Sequence, residues 1–134
     1  MRMAQRPALS KAELEAARIV WSLGEATVRQ VLEAMPPDRQ VEYKTVQTFL
    51  RRLQAKGYLN IRREGKTILY RPRVGAAQVV RETVRDFLAR LFDGQALPLV
   101  EHLISDRGLS LDEIAKLRAM LNRLEAEQND RPAR

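Results

Sequence analysis

Positions 43–52 gather Tyr43, Lys44, Thr45, Gln47, Thr48, Arg51 and Arg52, with no carboxylate among them. That mixture suits contact with a polyanion whose edges also carry hydrogen-bonding groups. Cations neutralise phosphates, while short hydroxyl and amide side chains reach base edges. Thr45 and Thr48 can hydrogen-bond base or phosphate oxygens and offer methyl groups to thymine. Arg52 suits either a guanine edge or a phosphate, and residue type alone does not separate the two roles. Between these residues, Val46, Phe49, Leu50 and Leu53 match the i, i+3, i+4, i+7 spacing of one helical face. A helix here would bury that stripe and turn the polar set outward, with Lys56 extending the outer face by one turn. Any soluble helix has a solvated charged face; the uniform sign of this one, and the basic segment directly after it, set it apart.

That segment, residues 58–71, reads as a hairpin. Gly57 stands where a helix C-terminus favours a residue free to take positive φ, with Lys56 beside the negative helix end. Residues 58–63 and 66–71 are rich in β-branched and aromatic side chains, and Glu64-Gly65 reads as a two-residue loop. Arg62, Arg63 and Lys66 put cations at its tip, where they would touch phosphates without reading sequence. Tyr70 reads as packing within the hairpin.

Two punctuated segments precede this pair. Ser10 and Glu13 form an S-x-x-E capping box, flanked by Leu9 and Leu14 as its staple, so a helix is expected from 11 to about 22. Leu14, Ala17, Val20 and Trp21 would form its buried side. Thr27 and Gln30 make a second box for a shorter helix built on Val28, Val31 and Leu32, which Pro36 and Pro37 must stop. Three helices and a hairpin within residues 9–73 constitute a winged helix-turn-helix.

The remainder is expected to be helical. An amphipathic helix over 75–93 would carry Val84, Phe87, Leu88 and Leu91 on its apolar side and end at Gly94. A shorter helix over 98–105 contributes Leu99 and Leu103. A third capping box, Ser110 with Glu113, opens a last helix whose seam is Ile114, Leu117, Leu121 and Leu124. Three such helices in residues 75–127 are too small to bury these faces against one another, so they are expected to form a dimerisation domain with an identical subunit. The fold class is therefore mainly α, a winged helix followed by a three-helix dimerisation domain, with flexible tails expected at 1–8 and 128–134.

Charge divides along the same boundary. Residues 1–73 hold fifteen Lys or Arg against seven Asp or Glu, while 74–134 hold nine against ten, so the net +7 lies wholly in the first part. A basic reader joined to a near-neutral assembly domain has that distribution. There is no cysteine, which excludes disulfides, thiolate metal sites and cysteine nucleophiles, and the single histidine, His102, excludes multi-histidine metal centres. With no Gly-rich phosphate loop and no paired carboxylates beside a histidine, neither an enzyme nor a cofactor is expected. No apolar run reaches the length of a membrane span and the start lacks a secretory segment, so a cytoplasmic location is expected.

The stretches LSKAELEAARIVWSLGEATVRQV, YKTVQTFLRRLQAKGYL, REGKTILYRP and VRDFLARLFDG, in this order, resemble the penicillinase-repressor (BlaI/MecI) family of bacterial transcriptional regulators over nearly the whole chain. The resemblance implies a homodimeric repressor that binds double-stranded operator DNA at an inverted repeat. It places Lys44, Thr45, Thr48 and Arg52 in the major groove, with Gln47 and Arg51 beside them. It also implies a membrane sensor-protease or another inactivating protease as partner. The family's Asn-Phe cleavage bond aligns with His102-Leu103, so the residues of that site are absent. The cysteine-rich tail of copper-responsive relatives is absent too. The competing reading is a winged-helix module that uses its basic face to hold an acidic protein surface without reading DNA.

Overall fold

The computed structural model describes residues 6–131 and divides after Arg85 into two compact units. In the first, helices α1 (Lys11–Leu23), α2 (Val28–Ala34) and α3 (Tyr43–Ala55) precede strands β1 (Leu59–Glu64) and β2 (Thr67–Pro72). Helix α4 (Ala76–Phe92) crosses the division; α5 (Ala96–His102), a π-helical turn (Leu103–Arg107) and α6 (Leu111–Asn129) complete the second unit.

Local signals set the helix starts. Ser10 Oγ accepts from the Glu13 N–H at 3.1 Å while the Glu13 carboxylate accepts from the Ser10 N–H at 2.9 Å. Thr27 with Gln30 and Ser110 with Glu113 close the same reciprocal pair, so all three expected capping boxes form. Each is worth about 1 kcal/mol because it satisfies helix-end N–H groups that otherwise lack partners. Helix α3 ends as expected at Gly57, where φ is +90° and the Tyr58 N–H reaches back to the Leu53 carbonyl at 2.9 Å.

The core of the first unit joins Ala16, Ala17 and Val20 of α1, Val28 and Val31 of α2, and Val46, Leu50 and Leu53 of α3 to Leu59 and Tyr70 of the hairpin. Leu14, expected inside, is only half-buried, and Ala16 takes the inner position. The Trp21 indole packs on this core and donates to the Val74 carbonyl at 3.0 Å. The hairpin is antiparallel, with Ile61 opposite Tyr70 and Glu64 opposite Thr67. Its loop is thus Gly65-Lys66, one residue later than the sequence suggested, because Gly65 with φ +63° takes the first loop position. A third backbone segment lines the sheet: Ala26, ahead of α2, exchanges hydrogen bonds of 2.9 and 2.8 Å with Tyr70.

The tails also depart from expectation where they are described. Residues 1–5 and 132–134 lie outside the described residues. Residues 6–8, expected to be flexible, are held instead: Arg6 donates to the Gly57 carbonyl and to Glu82, and the Tyr58 hydroxyl donates to the Pro7 carbonyl. Residues 128–129 continue α6. Helix α5 starts at Ala96 and not at 98, since a proline in a first helical turn lacks only an N–H that would have no helical partner there.

Candidate nucleic-acid interface

Helix α3 is fixed from its inner side, where Val46, Leu50 and Leu53 are fully buried. The i, i+4, i+8 geometry then sorts its outer residues into two adjacent strips. Lys44, Thr48 and Arg52 form one, all exposed. Tyr43, Gln47 and Arg51 form the other, which faces the hairpin across an open cleft that also meets Lys66. Thr45 is half-buried beside the first strip. The Thr48 hydroxyl donates to the Lys44 carbonyl at 3.0 Å, which leaves the oxygen's lone pairs and the methyl group for a partner.

The ten expected nucleic-acid residues do not all present their charge. Arg62 is withdrawn: its guanidinium forks onto Glu25 at 2.9 and 2.8 Å and donates to Glu64 at 3.2 Å. The hydrogen bonds from Arg62 hold the Glu25 carboxyl below its ordinary range, and those same acids hold Arg62 more firmly in its charged form. Lys56, read as part of the outer face, is likewise engaged, with its ammonium 2.7 Å from Glu13 and 3.0 Å from the Ala8 carbonyl. Burial pushes the Glu13 carboxyl up, but Lys56 and the Ser10 N–H outweigh it and leave that group below its usual range. Among the described residues of this unit, ion pairs occupy Arg6, Arg39, Lys56 and Arg62, and none occupies Lys44, Arg51, Arg52, Arg63 or Lys66.

Tyr70 is buried against the core, where burial pushes its phenol up and the neighbouring Arg51, hydrogen-bonded to it, pulls the other way. One residue escaped the sequence reading. Arg29 of α2 lies with its guanidinium carbon 5.3 Å from the centre of the Tyr43 ring, a cation–π contact at the start of α3. Its position within a capped helix was visible, but its neighbour fourteen residues on was not.

In the second unit no described residue is buried. Of the ten residues expected at a subunit contact, Val84, Phe87, Leu91, Leu103, Leu117, Leu121 and Leu124 are exposed, Leu121 by 62% and Leu91 by 65%. Leu88, Leu99 and Ile114 are half-buried. Phe92 sits between Phe87 and His102, at ring-centre distances of 6.0 and 5.8 Å, and His102 Nδ1 lies 3.1 Å from an Asp106 oxygen. His102 is the last residue of α5 and Leu103 the first of the π-helical turn. Among the described residues no cluster of three metal-binding side chains occurs, and no helix is long and apolar enough to cross a membrane.

Three helices closed by a two-stranded hairpin, with a cationic outer face on the third, define a winged helix-turn-helix. The chain belongs to the penicillinase-repressor family, whose sequence model, described as penicillinase repressor, matches residues 9–123. The penicillinase repressor of Bacillus licheniformis is 29% identical over 119 residues, covering 89% of this chain and 93% of that protein. The transcriptional regulator BlaI of Mycobacterium tuberculosis is 36% identical over 115 residues, covering 84% and 82%. The solved structure of the monomeric form of Bacillus licheniformis BlaI in complex with the blaP half-operator is similar at 32% identity and a TM-score of 0.47, covering 56% of this chain and 92% of that one.

Proposed function

We propose that this protein is a DNA-binding transcriptional repressor without catalytic activity or cofactor, acting in the cytoplasm as a homodimer on an inverted-repeat operator. The carrying observation is the division of the cations. The fold consumes Lys56 and Arg62 in ion pairs, whereas Lys44, Arg52, Arg63 and Lys66 remain exposed around α3 and the hairpin, and Arg51 meets no acid among the described residues. Family membership supports the same reading. In it, α3 enters the major groove, where Lys44, Thr45, Thr48 and Arg52 face base edges, with Tyr43, Gln47 and Arg51 beside them. Arg63 and Lys66 neutralise phosphates, and Arg62 holds the hairpin in place.

The exposed leucines of α4 and α6 support pairing with a second copy, since so much apolar surface is rarely left to water in a monomer. Two copies related by a twofold axis present two α3 helices, hence two half-sites. Occupying a promoter in this way would block polymerase. A membrane sensor-protease or other inactivating protease would relieve repression by cutting at His102-Leu103, where Leu103 is 44% exposed.

The test is a binding titration of the full chain against its own upstream promoter fragment and a scrambled duplex at two salt concentrations. We expect a preference of about a thousandfold or more, which salt shifts without erasing. Equal, steeply salt-sensitive binding to both duplexes would defeat operator recognition at that promoter.

A further inference from the structure

Three cations from three separate elements surround one open cleft in the first unit: Arg29 of α2, Arg51 of α3 and Lys66 of the hairpin loop. The cleft measures ≈ 470 Å³, its wall includes the rings of Tyr43 and Tyr70, and none of its lining residues carries a carboxylate. Four cations of this unit are each answered by an acid: Glu82 for Arg6, Glu15 for Arg39, Glu13 for Lys56 and Glu25 for Arg62. The three around this cleft converge on one acid-free space, and gathering like charges without a counter-charge favours an anion between them.

Arg29 is the informative member. Its guanidinium rests 5.3 Å from the centre of the Tyr43 ring and makes no ion pair among the described residues. Contact with an aromatic face restrains the guanidinium plane without consuming its N–H donors, which point outward from the edge of that plane. A planar fork of donors held in this way matches two oxygens of a phosphate better than it matches a single acceptor. Tyr43, Gln47 and Arg51, which line the cleft, are also the α3 strip next to Lys44, Thr48 and Arg52. A duplex read by Lys44, Thr48 and Arg52 would carry its backbone along Tyr43, Gln47 and Arg51.

We infer that this cleft holds a backbone phosphate of bound DNA, with Arg29 donating to its oxygens and the Tyr43 ring fixing the guanidinium. The inference rests on the DNA-binding reading above and adds to it a contact from α2 that is indifferent to sequence.

The test measures affinity against salt for the full-length wild type and for Arg29→Ala, Arg29→Lys and Tyr43→Ala, on the promoter fragment and on a scrambled duplex. One lost phosphate contact lowers the slope of log affinity against log salt by about 0.9. Arg29→Ala should show that drop and weaken both duplexes by the same factor, while Arg29→Lys recovers most of the slope. Tyr43→Ala combined with Arg29→Ala should weaken binding less than the two single losses multiplied together. Arg29 is exposed on α2, so an unchanged thermal unfolding midpoint serves as the check on folding. Neutral methylphosphonates placed one at a time along the half-site should reveal a position at which Arg29→Ala costs nothing more.

An unaltered slope for Arg29→Ala, in a protein whose wild type still prefers the promoter and responds to salt, overturns the inference and leaves the repressor reading standing. Loss confined to the promoter fragment overturns it too, since that would make Arg29 a base reader. Absence of DNA binding by the wild type removes both readings together.

Discussion

Arg62 and Glu25 are joined by two hydrogen bonds of 2.9 and 2.8 Å, one from Nε and one from a terminal nitrogen, which ties the hairpin to the segment that leads into α2. The cation that sequence placed at the tip of the wing is thereby a brace. Arg62→Ala and Glu25→Ala should each weaken DNA binding alike on promoter and random duplex, and the double variant should lose no more than either alone. Because Arg62 is engaged, its loss should not remove a full phosphate's worth of salt slope. A drop of about 0.9 in that slope for Arg62→Ala, as for a direct contact, would show that the ion pair opens on DNA.

Arg63 offers the contrast. It is exposed and has no ion-pair partner among the described residues. Arg63→Ala should lower affinity for all sequences by a similar factor and reduce the salt slope by about 0.9. Specificity should be untouched, and a changed preference between duplexes would refute the assignment.

Lys44 and Arg52 stand on the outermost strip of α3. If they meet bases, Lys44→Ala or Arg52→Ala should cost about 1–3 kcal/mol on the cognate operator and little on random DNA. Thr48→Val keeps a methyl group but loses the oxygen, whose proton is already given to the Lys44 carbonyl. A loss of affinity in that variant would mean the Thr48 oxygen accepts a hydrogen bond from the operator. Footprinted operators with single base-pair changes provide the readout.

Glu13 links stability to pH. Its carboxylate is nearly buried, 3% exposed, and is satisfied by Lys56 and the Ser10 N–H. Its folded-state pKa is lowered, so the stabilisation is complete above the unfolded-state value, about 4.3, and is lost as pH falls through the lower folded value. Glu13→Gln should cost about 1–3 kcal/mol at neutral pH by removing a charged hydrogen bond, and the cost should shrink below about pH 4. Chemical denaturation at several pH values measures this; a cost that stays constant down to pH 3 would exclude the linkage.

The last helix supplies a test of assembly. Leu121 and Leu124 are 62% and 50% exposed in one copy. Leu121→Glu with Leu124→Glu should shift the full chain toward monomer in sedimentation and weaken binding to a two-half-site operator far more than to a single half-site. An unchanged dimer would place the contact elsewhere in the chain.

Sequence alone determined the local features of this protein: where the three capped helices start, where α3 stops, and which of its faces turns inward. Capping boxes, the Gly57 turn and the Val46, Leu50, Leu53 stripe act over three to seven residues, and such short-range chemistry is carried by residue order itself. The apolar faces of the last helices were legible for the same reason. Tertiary structure decided which cations are left to meet a partner. Arg62 finds Glu25 across 37 positions, Lys56 finds Glu13 across 43, and Arg6 finds Glu82 across 76. The Arg29 contact with Tyr43 depends equally on how α2 packs beside α3. Charge sign can be read from a sequence, but an ion pair requires two side chains within about 4 Å. Only the packed core sets that distance between elements far apart along the chain.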